Sequence, residues 1–212
     1  MDQTLIIIFQ IIILILSAIA HEVAHGFAAL AYGDRTALYK GRLSMNPLVH
    51  IDMVGTVIVP LLLVVLKSPI GFGWAKPVPY NPLNFTNYKA GTRMVAIAGV
   101  LTNFALAILF GLVLRFFGES LSSSAVFILY LIVLTNLSLG IFNLVPIPPL
   151  DGSKILFSFL PSRFEKYQMI LEQNGFFIVF GLLLLLNFLH IDPITQSVVF
   201  FFQLITGVPL PF

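Results

Sequence analysis

The segment from Thr4 to Tyr32 is almost wholly aliphatic, and its only acidic, basic or histidine side chains are His21, Glu22 and His25. This length is sufficient to cross a bilayer as a helix, which takes about 20 apolar residues. Two imidazoles and a carboxylate are costly to bury in such a helix unless they find partners. A divalent cation held by these side chains would be one such partner.

The composition predicts a membrane protein over the whole chain. Of the 212 residues, 58% are hydrophobic and only 9% are charged, whereas soluble domains carry roughly 25% charged residues. The net charge is only +2, and the basic residues are scattered through loops, which argues against a nucleic-acid partner. The absence of cysteine excludes disulfides and thiolate metal sites. We therefore predict an all-α polytopic membrane protein, multi-pass in a prokaryotic cell membrane, with one domain over residues 1–212.

The apolar runs predict about five to six transmembrane helices. The expected helices cover residues 4–32, 94–114, 125–145, 169–189 and 194–205, the last of them short for a crossing. The run 54–66 is also short, which favours a re-entrant segment between the first two full spans. The Gly- and Pro-rich stretch 71–82 after it leaves a β-like form open. The distribution of Lys and Arg places the N-terminus outside and the loop after the first helix in the cytoplasm, and no cleavable signal peptide is expected.

The spacing of the three polar residues in the first helix is typical of a catalytic metal site. His21 and His25 are four residues apart and share one helix face, so both can bind one ion. Glu22 is offset around the helix and could take a proton from a metal-activated water without ligating the metal. Counted from Gly33 at ~1.5 Å per residue, His25 lies ~12 Å and His21 ~18 Å inside the helix end. This places the site within the membrane, nearer the cytoplasmic side.

Catalytic zinc usually has three protein ligands, and the third is found here by elimination. No Glu occurs between Glu22 and Glu119, and no His follows His25 within its helix. Four other candidates are too shallow or on the outer side, and His50 is better explained as structural; the four are Asp34, Asp52, His190 and Asp192. Asp151 follows a helix that returns to the cytoplasmic side and is broken by prolines, a feature tolerated in membranes where backbone lines a cavity. Topology therefore favours Asp151, with one Zn²⁺ per chain.

Two motifs together resemble the site-2 protease family of intramembrane zinc metalloproteases. They are His21-Glu22-x-x-His25 and Asn143-x-x-Pro146-x-Pro148-x-Leu150-Asp151-Gly152, and Ala98-Gly99-Val100-x-x-Asn103 is similar to the family's Ala-Gly-Pro-x-x-Asn segment. The match is to the compact prokaryotic subgroup without PDZ or CBS modules. The resemblance implies that Asp151 is the third zinc ligand and that Glu22 is the catalytic base. It further implies a protease that cuts transmembrane protein substrates within the lipid bilayer.

Several roles stay open at the level of sequence. Asn143 and Asn103 are candidates for contact with substrate or with a developing oxyanion. Asn143 could equally satisfy carbonyls freed by the prolines, and Asn103 could bond to a neighbouring helix. The alternative function is a non-enzymatic membrane metal-binding protein or metal transporter. That function predicts several ligand sets along a path, whereas the sequence offers one set with a Glu beside it.

Overall fold

The structure is a computed structural model that describes residues 2–58, 61, 62, 65 and 76–209. Within these residues it gives the bounds of seven α-helices: α1 Gln3–Ala31, α2 Thr36–Tyr39, α3 Tyr88–Phe117, α4 Ser123–Leu144, α5 Asp151–Phe159, α6 Glu165–Phe188 and α7 Pro193–Thr206. Short 3₁₀ turns cover Pro47–His50, Pro82–Asn84, Gly118–Ser120 and Ser162–Phe164. No described residue lies in a strand. The predicted all-α class is confirmed.

Four helices, α1, α3, α4 and α6, are long and apolar enough to cross a membrane, and the apolar helix α7 is shorter at 14 residues. The described residues thus hold four candidate spans and one short apolar helix, against the five to six crossings predicted. The predicted core of each span is correct, but α3 begins at Tyr88 rather than at residue 94. The reason is local, because the Asn87 side chain accepts a hydrogen bond from the Ala90 N–H and caps the helix there.

The predicted re-entrant segment is described only in part. Met53–Ile58 forms one π-helical turn, and residues 61, 62 and 65 are helical. Residues 59, 60, 63, 64 and 66–75 lie outside the described residues, so the re-entrant path and a β-like form stay predictions there. Residues 76–81 run with irregular backbone up to the 3₁₀ turn at Pro82–Asn84.

Helix α3 is the centre of the described fold, because it packs against α1, α4, α5 and α7. The main apolar core is shared by α3, α4 and α7, and its fully buried members are Ala107, Leu114, Val133, Leu137, Val198 and Phe202. Helix α6 is the least buried candidate span, with only 6% of its most apolar window inside the protein. Helix α1, which carries the two histidines, and helix α5, which begins with Asp151, both pack against α3.

The connection from α4 to α5 turns back at once and brings Asp151 to the site. Helix α4 ends at Leu144, and Pro146, Pro148 and Pro149 cannot continue it. A Cβ on Gly152 would collide with the backbone of Leu144, so only glycine permits this close approach. Asp151 then begins α5 and is buried.

Candidate active site

His21, His25 and Asp151 meet in the interior of the protein, where all three are buried. The Nε2 atoms of His21 and His25 lie 3.0 and 3.1 Å from the same Asp151 Oδ2. The two rings stand edge to face, with 4.5 Å between their centroids. Residues four apart on a helix share a face, so α1 supplies two of the three atoms and the first residue of α5 supplies the third. The structure thus brings the three predicted ligands together.

The second ring nitrogen of each histidine lies against an oxygen of helix α3. The Nδ1 of His21 is 2.6 Å from Asn103 Oδ1, and the Nδ1 of His25 is 2.6 Å from the main-chain oxygen of Val95. A main-chain carbonyl can only accept a hydrogen bond. His25 therefore carries a proton on Nδ1, which makes Nε2 the ring nitrogen that can present a lone pair to a metal. His21 is held in the same tautomer by the amide oxygen of Asn103.

These tautomers decide whether the site suits a metal. Two imidazole nitrogens and a carboxylate oxygen converge within about 3 Å, and each of these atoms can offer a lone pair to one ion. Histidines that bind metals generally donate their other N–H to a carbonyl or carboxylate, as both do here. Two nitrogens and one carboxylate oxygen match a catalytic zinc site, so the residues fit Zn²⁺.

Glu22 lies beside the histidines and is held by a different part of the chain. Its Oε2 accepts a hydrogen bond of 2.8 Å from the Val78 N–H. One turn further along α1, a Cβ on Gly26 would come within 2.8 Å of Val78 Cγ1, so glycine lets this segment approach. Arg42 also donates to the Pro77 carbonyl at 3.4 Å. Residues 76–81 therefore lie against the Glu22 side of α1, next to the face that carries the histidines.

Asp34, just after α1, anchors the far end of that segment. The carboxylate is fully buried and accepts hydrogen bonds from the Asn81 N–H and the Asn84 Nδ2, both at 2.7 Å. Burial alone would raise the pKa of Asp34, but the hydrogen bonds from Thr36, Asn84 and the Asn81 backbone outweigh it and hold the pKa below its usual value. Asp34 therefore ties the end of α1 to residues 81–84 as a charged group.

Lys154 contacts the remaining oxygen of Asp151. Its Nζ lies 3.4 Å from Asp151 Oδ1 and 5.9 Å from the centroid of the Tyr80 ring. Burial alone would lower the pKa of Lys154, but Tyr80 and Asp151 together raise it above its usual value. The ammonium is thus charged at neutral pH, and Asp151 has one oxygen facing the histidines and the other facing a cation.

The two candidate asparagines have different surroundings. Asn103 is fully buried, and its Nδ2 donates to Asn136 Oδ1 at 3.0 Å while its Oδ1 faces His21. Asn103 therefore makes hydrogen bonds to neighbouring helices, which was one of the two roles proposed for it from the sequence. Asn143 is part-buried and donates to the Leu139 carbonyl of its own helix at 3.0 Å. The structure does not place the Asn143 amide against the three clustered residues.

Two of the ligand candidates set aside from the sequence make structural contacts. His50 bonds to the Ser44 carbonyl at 2.8 Å, and Asp192 caps α7 by accepting from the Thr195 N–H at 2.9 Å. Among the described residues, His21, His25 and Asp151 form the one group of three or more His, Asp or Glu side chains close enough to hold a metal.

No role was assigned from the sequence to several residues around the site, among them Gly99 and Asn136 in the two helices beside it. Gly99 faces both imidazoles, and a Cβ there would stand 2.6 Å from the Cε1 atoms of His21 and His25. Asn136 of α4 contacts Asn103 and is itself buried. Signals existed for both, since a small residue inside a span permits close helix packing and a polar residue inside a span marks a functional position by default.

The comparisons with known proteins agree with this geometry. The profile of Peptidase family M50 matches residues 111–186. The Bacillus subtilis (strain 168) protein named "Putative zinc metalloprotease YwhC" is 36% identical over 177 residues, which cover 80% of this chain and 77% of that protein. The chain belongs to peptidase family M50. This membership confirms the resemblance to site-2 proteases and identifies a zinc-dependent metalloprotease with membrane-spanning helices.

Two further relatives are longer proteins. "Zinc metalloprotease MJ0392" of Methanocaldococcus jannaschii is 29% identical over 154 residues, covering 72% of this chain and 34% of that protein. "Putative zinc metalloprotease Rip2" of Mycobacterium tuberculosis (strain ATCC 25618 / H37Rv) is 30% identical over 175 residues, covering 81% of this chain and 64% of that protein. No solved structure matches the chain significantly.

Proposed function

We propose that this M50 chain is an intramembrane zinc metalloendopeptidase. It hydrolyses peptide bonds within or near the transmembrane segments of membrane-anchored substrates, as in regulated intramembrane proteolysis. The observation that supports this best is the convergence of the His21 and His25 Nε2 atoms on Asp151 Oδ2, because two of these residues belong to a helix apolar enough to span a bilayer. A site built into a span meets substrates that are themselves in the bilayer.

His21, His25 and Asp151 would hold the zinc ion, which supplies Lewis-acid polarisation of the scissile carbonyl and of the attacking water. Glu22 takes the proton from that water and returns it to the leaving amine. The Val78 N–H fixes one carboxylate oxygen of Glu22, which leaves the other oxygen to accept the proton. The amide of Asn143 is a further candidate for contact with the substrate, since it lies part-buried on the helix that leads to Asp151.

The substrate must unwind locally before it is cut, because a peptide bond inside a helix is shielded by its own turns. Residues 76–81 offer non-helical backbone beside Glu22. An extended substrate strand could pair with such an edge. The basic residues Arg35, Lys40 and Arg42 follow the end of α1, which favours a site nearer the cytoplasmic side of a prokaryotic cytoplasmic membrane. We take residues 1–212 as one catalytic domain.

The decisive variant is Glu22→Gln, which keeps the shape of the side chain and its acceptor for the Val78 N–H. It should retain zinc and lose about 10²–10⁴-fold in cleavage rate, the usual contribution of a general base. Substrates can be found as anchored proteins that accumulate in membranes containing the variant, and then cut with purified protein in proteoliposomes. Glu119→Gln, at an exposed carboxylate after α3, is the matched control and should cut normally. Cleavage by Glu22→Gln at the wild-type rate would refute the assignment.

Metal transport is the competing function, because buried His and Asp also suit an ion pathway. A pathway needs successive ligand sets, and the described residues contain one such group. Zinc flux into proteoliposomes separates the two functions. We expect cleavage without flux; flux in the absence of any cleavage would favour the transporter.

A further inference from the structure

Two asparagine side chains meet in the buried space between α3 and α4, next to the metal centre. Asn103 and Asn136 are 0% and 1% exposed, and the Nδ2 of Asn103 donates to the Oδ1 of Asn136 at 3.0 Å. Asn136 donates in turn to the Ile132 carbonyl at 2.9 Å and to the Ser17 hydroxyl oxygen at 3.0 Å. A continuous set of hydrogen bonds therefore joins the main chain of α4 to the imidazole of His21.

The direction of these hydrogen bonds is fixed at the Ile132 end. The Ile132 carbonyl can only accept, so the side-chain atom of Asn136 that faces it must be the NH₂ group. The oxygen of Asn136 then faces Asn103, whose own NH₂ group must donate to it. This leaves the oxygen of Asn103 against Nδ1 of His21, where it can only accept. His21 therefore carries a proton on Nδ1, which leaves Nε2, towards Asp151, as the nitrogen available to a metal.

The two histidines differ in how this tautomer is secured. His25 faces the main-chain oxygen of Val95, which cannot be exchanged for a donor. His21 faces a primary amide, and rotation of that amide by 180° would present NH₂ to Nδ1 instead. The imidazole would then carry its proton on Nε2, where a metal ligand needs a lone pair. Of the two groups that face the Nδ1 atoms, only the Asn103 amide could reverse its donor and acceptor by rotating.

We propose that Asn136 is a positioning residue of the metal centre, which holds the Asn103 amide so that His21 stays in its metal-binding tautomer. The inference rests on the zinc site of the proposed function but not on the identity of any substrate. Asn136 itself touches neither the ion nor the substrate in this assignment. It acts through Asn103, and its loss should lower zinc affinity while the helices remain assembled.

The test measures zinc affinity of purified protein by competition with a chelator. Asn136→Leu removes the acceptor for Asn103 Nδ2 and should weaken zinc binding by about 10–100-fold, the range found when partners of metal-binding histidines are removed. Asn136→Asp, buried as the neutral acid, keeps an acceptor for Asn103 and an O–H donor for the Ile132 carbonyl, so it should lie close to wild type. Asn174→Leu, in α6, removes the bond from the Asn174 amide to the Ile170 carbonyl of its own helix and is the matched control for zinc affinity. If Asn136→Leu does not fold, Asn136→Ala carries the same expectation.

A double-mutant cycle separates positioning from general destabilisation. If Asn136 acts through Asn103, the variant with both Asn103→Leu and Asn136→Leu should bind zinc no more weakly than Asn103→Leu alone. In the zinc-free protein, ¹⁵N chemical shifts of His21, recorded at a pH where the imidazole is neutral, should show the Nδ1–H tautomer in wild type and a gain of the Nε2–H tautomer in Asn136→Leu. Wild-type zinc affinity in Asn136→Leu, or additive losses in the cycle, would overturn the inference. Either result would leave the role of Glu22 in proteolysis untouched.

Discussion

Gly99→Ala is the smallest change that should damage the metal centre from outside its ligands. The added Cβ would stand 2.6 Å from His21 Cε1, His21 Nε2 and His25 Cε1, whereas ordinary van der Waals contact begins at 3.4 Å. The rings, or helix α3 itself, must therefore shift by about 0.4 Å to reach the shortest Cβ contacts found in proteins and by about 0.8 Å to reach ordinary ones. The helix backbone and the Nδ1 contacts to Asn103 and Val95 oppose such a shift, so the strain falls on the convergence of the Nε2 atoms on Asp151.

The expected loss follows from that displacement. A misplacement of about 1 Å can cost about 10²-fold in rate, and disturbance of metal-binding histidines costs about 10–100-fold in affinity. Helix propensity acts in the opposite direction, because alanine is favoured over glycine by up to ~1 kcal/mol in a helix interior. Gly99→Ala should therefore weaken zinc binding and cleavage while its helicity is kept.

The assay compares zinc affinity by chelator competition, kcat/KM on a membrane-anchored substrate, and thermal unfolding in detergent. Gly181→Ala in α6 is the matched control, since a Cβ there meets nothing within 4 Å. It should bind zinc and cut as wild type does. Wild-type zinc affinity and wild-type kcat/KM in Gly99→Ala would show that α3 does not approach the histidines this closely. The Nδ1 contacts of His21 with Asn103 and of His25 with Val95 would then also be wrong.

Three further changes test other parts of the site. Asp151→Ala should abolish stoichiometric zinc binding, whereas Asp192→Ala, which removes only a helix cap, should keep it; equal zinc content in both would contradict the ligand assignment. Asp34→Asn should lower thermal stability at pH 7. Because the folded-state pKa of Asp34 is lowered, its contribution is present above the unfolded pKa of about 3.9 and is lost as the pH falls through the folded value. The difference in stability should therefore begin to shrink below about pH 4; a constant difference from pH 7 down to pH 3 would contradict this. Asn143→Ala should leave zinc affinity unchanged, and a lower kcat/KM would then identify contact with substrate, while unchanged kinetics would exclude it.

The group of His21, His25 and Asp151, which could hold a metal, was accessible from sequence because its geometry is mostly local. The four-residue spacing of His21 and His25 fixes their common face through the helix period alone. Asp151 required only topology and depth, since the proline-broken connection had to end at the level of the histidines. The candidate spans were accessible for the same reason, as continuous apolar runs have a length that can be compared with the bilayer.

The surroundings of the histidines could not be predicted in the same way. Which residues of α3 face α1 depends on the rotation of one helix about its axis relative to the other. In a soluble bundle the hydrophobic period reveals that rotation, but here the lipid-facing and core-facing sides are equally apolar. Gly99 and Asn103 were visible as a small and a polar residue in a span, yet nothing in the sequence connected them with His21.

The start of α3 shows that hydropathy alone does not locate the end of a helix. Hydropathy places the span at residues 94–114, but the helix begins at Tyr88. Polar residues such as Lys89 and Arg93 lower the local hydropathy, although they are part of the helix. Arg93 stacks on the ring of Phe159, 4.0 Å from its centroid, and donates to the Ser158 hydroxyl at 3.2 Å. The polar first turns of α3 thus pack against α5, the helix whose first residue is Asp151.

The same polar contacts that orient the ligands also select the arrangement of the helices. Within a bilayer the burial of apolar side chains does little to distinguish one rotation of a span from another, since lipid tails are as apolar as leucine. The bond from His21 to Asn103 joins α1 and α3, and the bond from Asn103 to Asn136 joins α3 and α4, so each is lost when either of its two helices rotates. The bond from His25 to the Val95 carbonyl adds a second, independent constraint between α1 and α3. The rotation that satisfies these bonds is also the one that aims both Nε2 atoms at Asp151, so we expect the folded bundle to acquire a preformed metal site before zinc arrives.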